Sequence, residues 1–198
     1  MSTVALARPR RVLADALPAS ARVEVALVVG AAALVGLLAQ VSIPLGFTPV
    51  PITGQTLGVL LVGSSLGARR AGISLALYVL AGVAGVPWFA GHSAGLPLAT
   101  FGYLLGFVLA GSVLGALAAR GLDRTVARAA ASMVAAEVLI YAVAVPWLAI
   151  DLHVSLARAI SLGLVPFLLG DLVKALLAGL ALPGVWRLVR RVDQPSIG

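Results

Sequence analysis

The chain contains no cysteine, which excludes disulfides, thiolate metal sites and cysteine nucleophiles. Charge is scarce: Asp, Glu, Lys and Arg make up 11% of the 198 residues, against about 25% in an ordinary soluble domain. Acid is the scarcer sign, with 7 Asp and Glu against 14 Lys and Arg. There is no HExxH, GxSxG or Walker A sequence, and no two carboxylates sit together. No catalytic residue is therefore expected, and any active transport would need a separate ATPase or an ion gradient. His92 has no second histidine or carboxylate at metal-ligand spacing, so neither a metal site nor a cofactor is expected.

What the chain has in abundance is apolar sequence, with 61% hydrophobic residues. This composition predicts an all-α, multi-pass membrane protein in contact with lipid. Six hydrophobic segments are expected: Val25–Ile43, Thr56–Leu66, Ala71–Val86, Thr100–Ala119, Ala129–Ile150 and Ile160–Val189. A straight span needs about 20 apolar residues. The second and third segments are shorter and are expected to lean on loops that dip into the membrane, which is tolerated where protein or a polar cavity surrounds the backbone. Residues 1–22 read as a cytoplasmic tail without an apolar signal core, 23–191 as the membrane unit and 192–198 as a second cytoplasmic tail.

The net charge of +7 would suggest nucleic acid as a partner in a soluble protein. Here the arginines fall between the apolar segments and read as a topology signal. With the N-terminus inside, Arg8, Arg10, Arg11, Arg22, Arg69, Arg70, Arg120, Arg124, Arg128, Arg187, Arg190 and Arg191 are cytoplasmic and Arg158 alone is outside. Both termini are then cytoplasmic and no nucleic-acid partner is expected. Two loops without Lys, Arg, Asp or Glu fall outside: PLGFTPVPITGQ (44–55) and VPWFAGHSAGLPLA (86–99). Gly and Pro favour turns there. Phe47, Trp88 and Phe89 need apolar surroundings, so the loops are expected to cap a pocket, with an interfacial aromatic belt as the alternative.

Asp171 and Lys174 stand inside the last apolar segment. Each costs about 2.5–3.5 kcal/mol near a bilayer centre, and their spacing of three puts them on one helix face. A ligand with both an acceptor and N–H donors would suit them; a mutually neutralising structural pair is the alternative. Glu137 is a third ionisable group within a span and reads as a neutral or paired carboxyl. Asp151, His153 and Arg158 read as a solvated cluster. Gln55 and Thr53 end the first outer loop, and Tyr78, Trp88, Phe89 and Tyr103 supply flat faces with polar tips. In the first segment Ala26 and Gly30, and Ala32 and Gly36, repeat small residues four apart, a spacing that allows close helix approach.

The run PVPITGQTLGVLL (49–61) resembles a signature of the BioY proteins, the biotin-specific substrate-binding (S) components of energy-coupling factor (ECF) transporters. LYVLAGVAGVPWFAG (77–91), GYLLGF (102–107) and GDLVK (170–174) fit the same family in order. The resemblance implies a six-transmembrane-helix bundle of the S-component type in the bacterial plasma membrane, its outer loops capping the pocket. It implies biotin as ligand, with the membrane scaffold protein EcfT and cytoplasmic ATPase subunits as partners, and no enzymatic activity. Asp171 and Lys174 occupy the GDxxK positions; Gln55 and Tyr103 lie in matching motifs. Trp88 stands where the family carries a smaller apolar residue. An S component for another vitamin, a membrane enzyme and an assembly subunit are the competing readings.

Overall fold

The computed structural model describes residues 12–193. Arg8, Arg10 and Arg11 of the expected N-terminal tail, and residues 194–198 of the C-terminal one, lie outside the described residues. Seven α-helices follow one another: α1 (Ala21–Ala39), α2 (Gln55–Leu66), α3 (Ala68–Val83), α4 (Phe101–Ala119), α5 (Val126–Asp151), α6 (Leu156–Gly163) and α7 (Leu168–Asp193). Among the described residues, four stretches are long and apolar enough to cross a membrane: Ala21–Ala39, Phe101–Ala119, Val126–Asp151 and Leu156–Val189. The helix α2 is apolar but only 12 residues long, about 18 Å at 1.5 Å per residue against a hydrocarbon core of about 30 Å.

The first helix starts and stops earlier than hydropathy alone suggests. Ser20 caps it by accepting a hydrogen bond from the Val23 amide, and it ends at Gln40. Such caps satisfy amides that the helix itself leaves open. Ser42–Ile43 then pairs with Ile52–Thr53 as a two-stranded antiparallel turn, so the first outer loop folds back on itself and is not purely irregular.

The last hydrophobic segment departs further from expectation. It is not one helix over Ile160–Val189. It breaks after α6, passes through a 3-10 turn at Val165–Phe167, and resumes as α7. Leu164 has non-helical dihedrals, φ −126° and ψ −56°. Pro166 has no amide hydrogen to continue the helical hydrogen-bond ladder from the preceding turn, and it stands at the start of the 3-10 turn, where a proline is tolerated. Asp171 thereby falls in the first turn of a new helix.

The core runs through α2, α4 and α5, where Leu60, Leu114, Ile140 and Leu148 are fully enclosed. Glycines bring backbones together there. An added Cβ at Gly106 would lie 2.9 Å from the Ile140 carbonyl oxygen, and one at Gly115 2.4 Å from the Ala68 amide nitrogen. At the end of the molecule away from the antiparallel turn, Val12 packs on Gly67. Arg70 bridges Glu24 at 2.8 Å and Asp15 at 3.0 Å. The indole of Trp186 donates to Asp123 at 2.5 Å, with the Arg124 guanidinium 3.1 Å above its ring.

Backbone against backbone cannot yield as a flexible side chain can. Gly115→Ala is therefore expected to destabilise the protein by about 1–3 kcal/mol, the scale of overpacking. Gly30→Ala, where a Cβ meets nothing within 4 Å, should not. Thermal denaturation in detergent checks this; equal melting of both variants and the unmodified protein would refute the α3–α4 contact.

Candidate binding site

A cavity lies between the antiparallel turn, the loop before α4, and α2, α4, α5 and α7. It spans about 650 Å³ of non-atom space, its open mouth included. Val50, Leu104, Phe107, Ile140 and Phe167 give it apolar walls, and its polar groups gather at Thr56, Tyr141, Asp171 and Lys174.

These four side chains form one cluster. Asp171 is buried. Lys174 Nζ donates to Asp171 Oδ1 at 2.9 Å and to Thr56 Oγ1 at 2.7 Å. The Thr56 hydroxyl lies 3.3 Å from the same carboxylate oxygen, and Tyr141 donates its phenolic hydrogen to Asp171 Oδ2. Both carboxylate oxygens are thus satisfied. The positive end of α7 adds support to an anion in its first turn. Lys174 keeps donor capacity beyond these two contacts, since an ammonium carries three hydrogens. The cluster therefore presents a cationic donor and carboxylate lone pairs to the cavity without leaving a charge unanswered. Such an arrangement can recognise a ligand that offers an acceptor and an N–H donor on an apolar body.

Of the residues singled out from sequence, Asp171, Lys174, Gln55, Tyr103 and Phe89 line the cavity. Gln55 is buried and held by both ends: its amide donates to the Tyr78 hydroxyl at 2.7 Å, and its oxygen accepts from Thr53 at 2.9 Å. Tyr103 donates to the Gly163 carbonyl at 2.5 Å and stands edge-on to Tyr141, ring centres 6.3 Å apart. Phe89 fits over Gly82, where a Cβ would lie 2.2 Å from its ring. Tyr78 and Trp88 stand one layer back. Tyr78 is fully enclosed, and the Trp88 indole donates to its carbonyl at 3.0 Å. The Tyr78 ring stands edge-on to Phe89 and tilted against Trp88, and its hydroxyl meets Gln55.

Among the cavity residues not singled out from sequence are Thr56, Tyr141 and Phe167. Thr56 follows Gln55 directly and belongs to the same ITGQT run. Tyr141 had no local signal. Phe167 sits in the turn that the reading of an unbroken last helix concealed.

The fold and cavity define a class: a helical membrane protein with a pocket among its helices and a carboxylate–ammonium pair on the pocket wall. The BioY family model matches residues 12–191. The biotin transporter BioY of Rhizobium etli is 37% identical over 73% of this chain and 81% of its own length. That of Thermotoga maritima is 40% identical over 75% and 86%. The crystal structure of the S-component for biotin from an ECF-type ABC transporter superposes with a TM-score of 0.72 at 22% identity, covering 90% of this chain and 96% of that one; the two share a fold. The chain belongs to the BioY family.

One side chain at the end of α1 ties down the loop that carries Phe89 at several points. Gln40 donates to the carbonyls of Gly36, Trp88 and Phe89 at 2.8, 3.1 and 3.3 Å, and accepts from the His92 amide at 3.1 Å. A hydrogen bond is worth about 0.5–1.5 kcal/mol net, or roughly 2- to 12-fold. Gln40→Ala should speed amide exchange at His92 by about that factor and leave α4 and α5 unchanged. Unaltered exchange at His92 would show that the loop holds itself.

Proposed function

We propose that this chain binds biotin in the Asp171–Lys174 cavity and serves its uptake across the plasma membrane as the substrate-binding component of an ECF-type transporter, and that it is not an enzyme. The observation that carries the reading is the convergence of Asp171, Lys174, Thr56 and Tyr141 on one wall of an otherwise apolar and aromatic cavity. Biotin has a ureido ring with two N–H donors and a carbonyl, a thioether ring with an aliphatic chain, and a carboxylate. Asp171 is an acceptor for the N–H groups. Lys174 is a donor for the carbonyl or the carboxylate. Phe89, Tyr103 and Phe167 offer faces to the bicycle and chain. The curated relatives named above are biotin transporters.

The bundle is read as the six-span S-component type, with α2 and α3 as the short pair and the α6–α7 stretch as the last span. The loops 44–55 and 86–99 serve as caps; Val50, Pro51, Phe89 and Ser93 from them line the cavity. Asp123 and Arg124 meet Trp186, and Arg70 meets Glu24, at the opposite end. The positive-inside bias makes that the cytoplasmic end and puts the cavity mouth outside.

Replacing Asp171 by Asn or Lys174 by Met removes one partner of a charged hydrogen-bond cluster, worth about 1.5–3 kcal/mol, or roughly 10- to 150-fold in affinity. Tyr141→Phe keeps the ring and removes the donor to Asp171, and should weaken biotin by a similar factor. Calorimetric titration of biotin into purified protein, with thermal melts as folding control, measures all three. Wild-type-like affinity in folded Asp171→Asn and Lys174→Met would make the pair structural; no biotin heat in the unmodified protein would point to another vitamin.

A transporter of this class needs a scaffold and ATPase, and α1 offers the docking face. Ala26 and Gly30 are exposed and Gly30 has no neighbour within 4 Å of an added Cβ, whereas Gly36 is closed by Trp88 at 3.1 Å. Gly30→Leu should reduce co-purification with the scaffold EcfT and leave biotin binding intact. Gly36→Leu should instead disturb the fold. Undiminished co-purification of the Gly30→Leu protein would move the docking face elsewhere.

A further inference from the structure

Glu137 is a carboxyl that the binding cluster does not use. It is 6% exposed, and both carboxyl oxygens are closed off and without a hydrogen-bond partner among the described residues. It is the twelfth of the 26 residues of α5, about 17 Å along the helix from Val126 and far from either end. On its outer side α5 and α7 present Val134, Val138, Leu168 and Leu172, an apolar surface that supplies no donor. A carboxylate ion in such a place has nothing to compensate its lost hydration, and a buried acid then keeps its proton instead. Glu137 is therefore held as the neutral acid.

Its neighbours are the groups that make the ligand site. Tyr141 follows four residues later on the same helix face and gives its hydrogen to Asp171. Glu137, Tyr141 and Asp171 border the same apolar surface, and Glu137 lies within electrostatic reach of both Asp171 and Lys174. Few other titratable groups surround it. On α5 itself, Arg128 and Asp151 stand toward the two ends. From α4 comes Tyr103 alone, edge-on to Tyr141. The helix α2 carries no titratable side chain, and α6 carries only Arg158, which is exposed. With Glu137 neutral, Asp171 and Lys174 cancel each other. With Glu137 ionised, two carboxylates share one ammonium, and Lys174 is drawn away from Asp171 and the cavity. Biotin brings a carboxylate of its own. Ligand and ionised Glu137 therefore oppose each other, whichever end of biotin meets Lys174.

We propose that Glu137 is a proton-binding site linked to the ligand site: biotin binds with the Glu137 proton in place, and loss of that proton weakens it. The linkage rests on biotin being the ligand. Affinity is full while Glu137 is protonated and falls as pH rises through its ionisation, by up to about tenfold per pH unit. Calorimetric titration of biotin into the purified full chain, from about pH 6 to about pH 9, stays below the ordinary range of lysine and tyrosine side chains. The unmodified protein should lose affinity toward the alkaline end. It should also take up a proton on binding there, read from the heats in buffers of different ionisation enthalpy. Glu137→Gln and Glu137→Leu, neutral at every pH, should show neither effect, with thermal melts confirming that both fold. A flat profile without proton uptake in the unmodified protein overturns the proposal, and so does a slope that survives both substitutions. Infrared spectra of the ligand-free protein carry the test beyond biotin. A protonated-acid carbonyl band should be present at neutral pH and missing from Glu137→Gln; its absence from the unmodified protein also overturns the proposal. No biotin heat at any pH, with that band in place, overturns the biotin reading and not the proton site.

Discussion

The structure is organised around keeping a carboxylate and an ammonium inside apolar surroundings. Removing an ion from water costs several kcal/mol even after relaxation, and the pair repays this only when its remaining lone pairs and hydrogens are engaged. Asp171 and Lys174 meet that condition with help from outside their own helix. Thr56 comes from α2 and Tyr141 from α5, 115 and 30 residues away from Asp171 in sequence. Three helices must therefore arrive at one point. The close approach of α4 and α5 at Gly102 and Gly106 lets Tyr103 stand against Tyr141, and the break at Leu164–Phe167 brings the first turn of α7 to Asp171. A continuous last helix would surround Asp171 with satisfied backbone and supply no positive terminus.

Behind this cluster is a second polar layer made of neutral groups. Thr53, Gln55 and Tyr78 form a chain of hydrogen bonds that ends on the carbonyl of Trp88, and Gln40 holds the same loop from α1. None of these groups is charged, so the layer fixes the cavity wall without adding desolvation cost on the scale of an ion. This division explains why the loops lack Lys, Arg, Asp and Glu yet are ordered: their backbone groups are satisfied by buried amides and hydroxyls.

Much of this was legible in the chain. Long apolar runs mark α1, α4 and α5 because a membrane demands them, and the acid–base pair stands out because charge is so rare in the run that carries it. Three features were hidden for different reasons. Tyr141 lies in an apolar helix like many structural tyrosines, and only its meeting with Asp171 across 30 residues gives it a role. The antiparallel turn rests on two residues per strand, too few for an alternating pattern to show. The break before α7 had a signal, Gly163 followed by Pro166, but hydropathy averages over such punctuation. The sequence reading placed Tyr78 and Trp88 in the aromatic set of the site; Tyr78 meets Phe89 and Gln55, and Trp88 packs on Tyr78, one step behind the surface that Phe89 presents.

The two small-residue pairs of α1 show why spacing alone does not assign a surface. Ala26–Gly30 and Ala32–Gly36 have the same four-residue interval. Ala32 and Gly36 are buried, and the Trp88 ring occupies the space that a side chain at Gly36 would need. Trp88 can be large because Gly36 is small, and its bulk in turn carries the carbonyls that Gln40 grips. Ala26 and Gly30 meet no such partner, because the loop that carries Trp88 folds over the other end of α1. One interval thus closes the cavity end of the bundle, and the other stays open toward the end marked by Arg70 and Glu24. The difference lies in what the rest of the chain brings opposite each pair, which no local pattern in α1 contains.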